Sequence, residues 1–279
     1  MENNEKGAGN NEQEKKEVKD QDKNNQVIHF PNGDIYKGSV NECGKPEGEG
    51  IYFYNDGDVY KGDRKNGIRD GKGIMNYANG DKYEGDWKNG LRDGKGIYYF
   101  YNDGDTYEGD WKNDIMEGKG IMNYANGDKY EGDWKNGIME GKGRYYCNNG
   151  IVYEGDWKDD KMEGKGKEYW HDGGIYEGDW KNDKKEGIGT MNYANGDRHE
   201  GNWKNDIKEG RGIFYSNNGE RYEGTWVDGC ANGIFFHRLA DGSIQRERWI
   251  NGNEAGPAFY TEDLMNLRNQ NEFEESQTL

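Results

Sequence analysis

Proline, cysteine and long apolar runs are scarce in this sequence. Its 279 residues include 3 prolines and 3 cysteines, and hydrophobic residues make up 30%. Cys43, Cys147 and Cys230 are odd in number and irregularly spaced, so they favour neither a disulfide framework nor a zinc site. No apolar run reaches the ~18 residues of a membrane-spanning helix, and the N-terminus has no signal-peptide core. We therefore expect a cytoplasmic protein that is not secreted.

Metal and catalytic signatures are also missing. The 4 histidines, His29, His171, His199 and His237, lack metal-ligand spacing. The acidic turns, such as Asn55–Asp58, do not follow a calcium-loop pattern. We expect no cofactor, no metal site and no enzyme activity. The formal net charge of -17 opposes binding to nucleic acid, because phosphate backbones attract basic proteins.

What the chain has instead is a repeat rich in glycine and aromatic residues. It contains 46 glycines, 21 tyrosines and 9 tryptophans. The pentapeptide Tyr-Glu-Gly-Asp-Trp occurs five times, and its starts are separated by 24, 23, 23 and 23 residues. The starts are Tyr83, Tyr107, Tyr130, Tyr153 and Tyr176. A period this short predicts an array of one small unit, each copy stabilised by its neighbours.

Degenerate copies extend the repeat on both sides. They begin at Tyr36, Tyr60, His199 and Tyr222. Residues 1–26 are almost entirely polar and predict a disordered tail. Residues 27–258 carry the array, and residues 259–279 form a C-terminal tail in which the spacing of Leu264 and Leu267 predicts a short helix.

One unit, Tyr107–Lys129, predicts a β-hairpin. Residues 107–111 alternate between aromatic or glycine positions and charged positions, which is the period of a strand. We expect a loop at 112–117, a second strand at 118–124, and a two-residue type I′ turn at Asn126-Gly127. Each such turn then starts the next hairpin.

The predicted fold is all-β: an elongated, single-layer antiparallel meander of tandem ~23-residue hairpins. Tyrosine and tryptophan would share one face, with their rings lying on glycines of the adjacent strand. The charged residues would share the other face. The unit that starts at Tyr83 is one residue longer, and we expect a bulge near residues 98–101.

The pattern Tyr-x-Gly-x-Trp, then Gly-x-Gly, then Asn-Gly-Asp-x-Tyr resembles the MORN repeat (membrane occupation and recognition nexus). Nine copies in register carry the resemblance, from about Phe30 to Trp249. The resemblance implies an elongated array of β-hairpins with a scaffolding, cytoskeletal or membrane-apposition role. On this basis the chain is similar to radial spoke head proteins and protist MORN scaffold proteins.

Two repeated rows are candidate binding residues. The aromatic stripe consists of Trp87, Trp111, Trp134, Trp157, Trp180 and Trp203. The basic line consists of Lys88, Lys112, Lys135, Lys158, Lys181 and Lys204. The stripe has two interpretations: rings packed on glycine that hold the array together, or partly exposed rings that form a partner groove. The basic line is either a solvated face or a contact for a charged partner.

The first hypothesis for function is a non-enzymatic scaffold that binds protein partners in the cytoskeleton, in an axoneme, radial spoke or cell cortex. Self-association is a further use of the repeated surface. One alternative is a peripheral membrane tether that binds phosphoinositides through the basic line. Another is a regulatory module that docks an enzyme in trans.

Overall fold

The computed structural model describes residues 26–258, and within that range the chain forms 21 β-strands and no helix. The predicted polar N-terminal tail and the short helix after residue 259 lie outside the described residues. The strands are β1 (Gln26–His29), β2 (Ile35–Val40), β3 (Pro46–Phe53), β4 (Val59–Lys65), β5 (Ile68–Asn76), β6 (Lys82–Lys88), β7 (Leu91–Tyr99), β8 (Thr106–Lys112), β9 (Ile115–Asn123), β10 (Lys129–Lys135), β11 (Ile138–Tyr146), β12 (Val152–Lys158), β13 (Lys161–Tyr169), β14 (Ile175–Lys181), β15 (Lys184–Asn192), β16 (Arg198–Lys204), β17 (Ile207–Tyr215), β18 (Arg221–Val227), β19 (Cys230–Arg238), β20 (Ile244–Ile250) and β21 (Asn253–Pro257).

The described chain divides into two compact units. The first contains the residues up to Asn102 together with Lys112–Asp114, and the second contains Asp103–Trp111 and the residues from Ile115 onward. In the first unit, β1 to β7 pair in chain order, each strand antiparallel to the next. In the second unit, β9 to β21 pair in the same way. The predicted all-β meander of antiparallel hairpins is confirmed.

The tight turns lie at the opposite end of each hairpin from the predicted one. Asn136 and Gly137, between β10 and β11, have φ angles of 53° and 83°, and positive φ at both central positions is the requirement of a type I′ turn. The predicted loop at 112–117 is wrong, because β8 continues to Lys112 and β9 begins at Ile115.

The Asn126-Gly127 segment forms the longer loop instead. Of the loop residues 124–128, Gly127 has a positive φ, 92°, and its N–H donates to the carbonyl oxygen of Tyr124 at 2.9 Å. That geometry is a type I turn followed by a left-handed glycine. The type I′ prediction for this segment is therefore wrong. Asn-Gly suits both turns, so local sequence does not separate them.

Bulges occur within the hairpins rather than at residues 98–101. Tyr98 and Tyr99 pair regularly with β6, and the extra residue of this unit lies in the loop 100–105 between β7 and β8. In the hairpin of β10 and β11, by contrast, Gly132 pairs with Gly143 and Trp134 pairs with Met139. The strand therefore has extra residues around Gly141 (φ 76°), which explains why the first glycine of Gly-x-Gly is needed.

The two faces of the sheet differ as predicted. In β8, Tyr107, Gly109 and Trp111 are buried, whereas Glu108 and Lys112 are exposed. Within each unit, contacts between described strands run mainly between sequence neighbours, as in a single layer. The core is therefore a row of aromatic rings on one face, since the described strands form no second layer with an aliphatic interior.

Candidate partner-binding surface

The first tyrosine covers the backbone of two glycines in the repeats that start at Tyr36, Tyr60, Tyr83, Tyr107, Tyr130, Tyr153 and Tyr176. Tyr130 is 0% exposed, and a Cβ placed on Gly143 would lie 2.5 Å from its Cζ. Its hydroxyl donates to the carbonyl oxygen of Asp133 at 3.0 Å. Burial raises the pKa of Tyr130 well above its ordinary value. The tyrosine therefore stays protonated and acts as a packing and hydrogen-bonding residue.

In the central repeats the tryptophan of the stripe lies between two tyrosines, whereas Trp203 lies between Tyr176 and His199. Trp134 makes edge-to-face contacts with Tyr130 and with Tyr107 of the preceding repeat, both with ring centroids 5.3 Å apart. Its Nε1 donates to the carbonyl oxygen of Gly120, also in the preceding repeat, at 3.2 Å. The Trp134 ring therefore stabilises the packing of its hairpin against the preceding hairpin.

The aromatic stripe is buried along its whole length. Its six rings are 4–7% exposed, so they offer a partner little surface. This geometry agrees with the interpretation that the rings hold the array together. A binding role for the stripe stays a prediction.

Nine consecutive segments match the family model for the MORN repeat. They are residues 42–59, 60–82, 83–104, 107–129, 130–152, 153–175, 176–198, 199–221 and 222–233. The chain belongs to the MORN-repeat family. The nine predicted repeats are confirmed, and MORN repeats suggest a protein-interaction scaffold. The likeness to radial spoke head and protist scaffold proteins stays a prediction.

Solved structures share only distant similarity with this MORN protein. The TCP10 domain of Danio rerio CPAP is 11% identical, covering 84% of this chain and 100% of that chain, with a TM-score of 0.40. The SAS-4 TCP domain of Drosophila melanogaster, in complex with a proline-rich motif of Ana2, is 16% identical over 64% and 90%, with a TM-score of 0.38. These scores carry no argument about function. No curated protein matches the chain.

The basic line is solvent-exposed on the charged face of the MORN sheet. All six lysines are exposed, and Lys112 contacts the Asp93 carboxylate at 3.2 Å. Each lysine ends a strand just before a two-residue turn. The side chains are free to meet a partner, although their role in binding stays a prediction.

Exposed apolar residues lie beside the basic line, and sequence reasoning missed them. In most hairpins the residue that follows the two-residue turn pairs across the hairpin with a lysine, as Leu91 does with Lys88 and Ile207 with Lys204. Their exposed fractions are 38% for Leu91 and 45% for Ile207. We call this set the turn edge, and its apolar members are Ile68, Leu91, Ile115 and Ile207. The 23-residue period was the signal that could have revealed it.

A row of basic residues on the aromatic face was also missed. Arg69 lies 4.3 Å from the Trp87 ring and Lys185 lies 4.6 Å from the Trp170 ring. The equivalent position holds methionine in the central repeats, for example Met139. We call Arg69, Arg92, Lys185 and Lys208 the cation row. Its members cover aromatic rings and place positive charge on an otherwise apolar face.

The acidic turns have structural roles. Asp128 Oδ1 accepts the N–H of Asn148 at 2.8 Å, and Oδ2 accepts the hydroxyl of Tyr145 at 2.9 Å. The Asn148 and Tyr145 bonds lower the pKa of Asp128. Among residues 26–258, no three His, Cys, Asp or Glu side chains lie together as a metal site. No helix in that range is long and apolar enough to cross a membrane.

Proposed function

We propose that this MORN protein is a non-enzymatic scaffold that binds protein partners through its turn edge, in the cytoskeleton. The observation that carries the proposal is the recurrence of an exposed Ile or Leu directly after four of the two-residue turns, at Ile68, Leu91, Ile115 and Ile207, each with an exposed Lys directly before the turn. Exposed apolar side chains rimmed by charge are typical of protein interfaces. The buried stripe supplies the rigid support.

Repetition makes such an edge effective even when each contact is weak. A partner that engages two or more turns gains from effective concentration, because the second contact is intramolecular. An elongated cytoskeletal partner with a periodic surface suits this arrangement. An axonemal or cortical setting, and self-association, belong to the same proposal.

The test is proximity crosslinking in cells followed by mass spectrometry, with the double variant Ile115→Asn/Ile207→Asn. We expect the variant to lose cytoskeletal crosslinks that the wild-type protein makes. The matched control is Ile188→Asn, because Ile188 is 68% exposed but lies away from the turns. Equal loss in both variants, or crosslinks that are not cytoskeletal, would contradict the proposal.

The membrane-tether alternative is supported by the basic line, since lysines attract anionic headgroups within a Debye length of ~8 Å. The net charge of -17 opposes it. We expect weak or no co-sedimentation with phosphoinositide liposomes at ~150 mM salt. Strong binding that Lys112→Glu/Lys135→Glu/Lys158→Glu abolishes would favour the tether over the scaffold.

A further inference from the structure

Lys208 differs from the other members of the cation row, because its ammonium has no oxygen partner among the described residues. Arg69 donates to the Gly90 carbonyl oxygen, Arg92 pairs with Asp114, and Lys185 lies 2.9 Å from Glu168. Among residues 26–258, no hydrogen bond or ion pair joins the Lys208 ammonium to an oxygen.

The carboxylates closest to Lys208 in sequence accept hydrogen bonds from backbone N–H groups rather than from the Lys208 ammonium. Asp206 Oδ1 accepts the backbone N–H of Lys185 at 2.8 Å, and Glu209 Oε2 accepts that of Asp228 at 3.1 Å. Gly229 is the second residue of the two-residue turn after β18, and Asp206 occupies the same position one repeat earlier. This position therefore carries no carboxylate, as at Gly67, Gly90 and Gly137, whereas Asp114, Asp160, Asp183 and Asp206 supply one in the other repeats.

Aromatic rings surround the Lys208 ammonium. It lies 4.7 Å from the Trp226 centroid, 5.3 Å from Tyr193 and 5.6 Å from Phe214. Burial lowers the pKa of Lys208. A half-buried cation with no counterion is costly, because ring faces replace only part of its lost hydration.

The repeat pattern breaks at the same place. His199 stands where other repeats have tyrosine, and it is 0% exposed. Within the described range 26–258, neither of its ring nitrogens has a hydrogen-bond partner. Trp226 Nε1 also has no hydrogen-bond partner in the part of the chain that the structure describes, whereas Trp203 Nε1 donates to the Gly189 carbonyl oxygen at 3.2 Å. Breaks in a repeat pattern that leave buried polar atoms without hydrogen-bond partners are typical of functional sites.

We propose that Lys208, with its walls Tyr193, Phe214 and Trp226, binds a carboxylate side chain of a protein partner. The Lys208 ammonium would donate to the carboxylate the charge-assisted hydrogen bond that it does not make within residues 26–258. The ring walls suit apolar residues on either side of the carboxylate. The inference rests on the proposed scaffold function and names one contact of the partner.

The experiment uses the full chain and a short fluorescein-labelled peptide with one glutamate flanked by leucines. Fluorescence anisotropy at ~150 mM salt measures the dissociation constant. A second peptide with glutamine in place of glutamate is the ligand control. Lys208→Met removes the ammonium, and the repeat tolerates methionine because the central repeats have it at this position. Lys208→Arg keeps the positive charge. Lys204→Met removes the same charge from the same hairpin at an exposed position.

We expect Lys208→Met to weaken binding about tenfold or more, the value for one lost charged hydrogen bond. Lys208→Arg and Lys204→Met should stay within about threefold of the wild type. The glutamine peptide should bind about as weakly to the wild type as the glutamate peptide binds to Lys208→Met. Equal binding by Lys208→Met, equal binding of the two peptides, or no binding up to about 1 mM would overturn the inference. The crosslinking result is independent, so the scaffold proposal could survive that failure.

Discussion

At the scale of the residue, the first tyrosine of the repeats from Tyr60 to Tyr176 has three roles. Its ring excludes any side chain from the two glycines below it, and its edge packs on tryptophan. Its hydroxyl returns a hydrogen bond to the backbone three residues later, as Tyr107 does to Asp110 at 3.0 Å. A buried hydroxyl without such a partner would be destabilising, so the local bond allows tyrosine rather than phenylalanine in a thin sheet.

Residues of the aromatic stripe should contribute more to the free energy of unfolding than residues of the charged face. We expect Trp134→Ala to lower the free energy of unfolding by ~3 kcal/mol, because two edge-to-face contacts and a large buried area are lost. Glu131→Ala should change it by at most ~0.5 kcal/mol, since its ion pair with Lys129 is exposed. Urea denaturation measures both. Equal losses of unfolding free energy in the two variants would contradict the larger contribution of the aromatic face.

His199 should make stability depend on pH. Burial, then the Lys208 charge, lowers the pKa of His199 to about 3, against ~6.5 in the unfolded chain. Below pH ~6.5 the unfolded chain binds a proton that the folded chain does not, so stability falls by ~1.4 kcal/mol per pH unit. His199→Tyr lacks this loss. We expect wild-type stability to fall by ~2 kcal/mol more than that of the variant between pH 7 and pH 5.

The His199→Tyr comparison also has a check at neutral pH. The tyrosine hydroxyl would regain the backbone bond made in other repeats, so the variant should be more stable than the wild type by ~1 kcal/mol at pH 7. Parallel pH profiles in urea denaturation would show that His199 titrates normally.

At the scale of the element, the aspartate of each pentapeptide links its own strand to two neighbouring strands through polar contacts. Asp133 on β10 accepts the Lys142 N–H from β11 at 2.9 Å and contacts the Lys119 ammonium from β9 at 2.5 Å. Burial acts to raise the pKa of Asp133, but the Lys119 and Lys142 contacts outweigh it and the pKa is lowered. The contribution to stability is present above the unfolded pKa and is lost as pH falls through the folded one.

Two glycines of one hairpin should respond differently to the same substitution. We expect Gly143→Ala to cost ~3 kcal/mol, because the new Cβ would overlap the Tyr130 ring. Gly137→Ala should cost only ~1 kcal/mol: the φ of 83° is unfavourable for alanine, but no atom lies within 4 Å. Thermal melts of the two variants provide the measurement. A larger loss for Gly137→Ala would contradict ring packing as the dominant requirement.

At the scale of the whole molecule, consecutive repeats offer each other the same pairing surface. Gly120 pairs with Gly132 between β9 and β10, and Gly143 pairs with Gly155 between β11 and β12. Each hairpin therefore finds an equivalent neighbour on either side. Stability in such an array is a sum of repeat and interface terms.

Removing one whole repeat should leave the protein folded. Deletion of residues 130–152 would let β9 pair with β12 in the existing register, with Gly120 opposite Gly155. We expect β-type circular dichroism, cooperative urea unfolding and an m-value lower by about a tenth, because less surface is exposed on unfolding. The control deletion, residues 130–141, breaks the register and should lose cooperative unfolding.

The sequence by itself determined the period, the hairpin unit and the two faces. The alternation around Tyr107 and Trp111 has a strand period, and the glycines recur where rings need backbone to lie on. These features are local and repeat nine times, so each copy reinforces the same prediction.

Only the tertiary structure decided which turn is tight, which rings are covered and which charges are satisfied. Both Asn126-Gly127 and Asn136-Gly137 suit a tight turn locally, and pairing of the flanking strands selects the second. Trp134 is buried because the preceding repeat supplies Tyr107 and the Gly120 carbonyl oxygen, a relation across hairpins that no local pattern contains. Among residues 26–258, Lys208 lacks an oxygen partner because the nearby carboxylates of Asp206 and Glu209 accept backbone N–H groups of other strands instead.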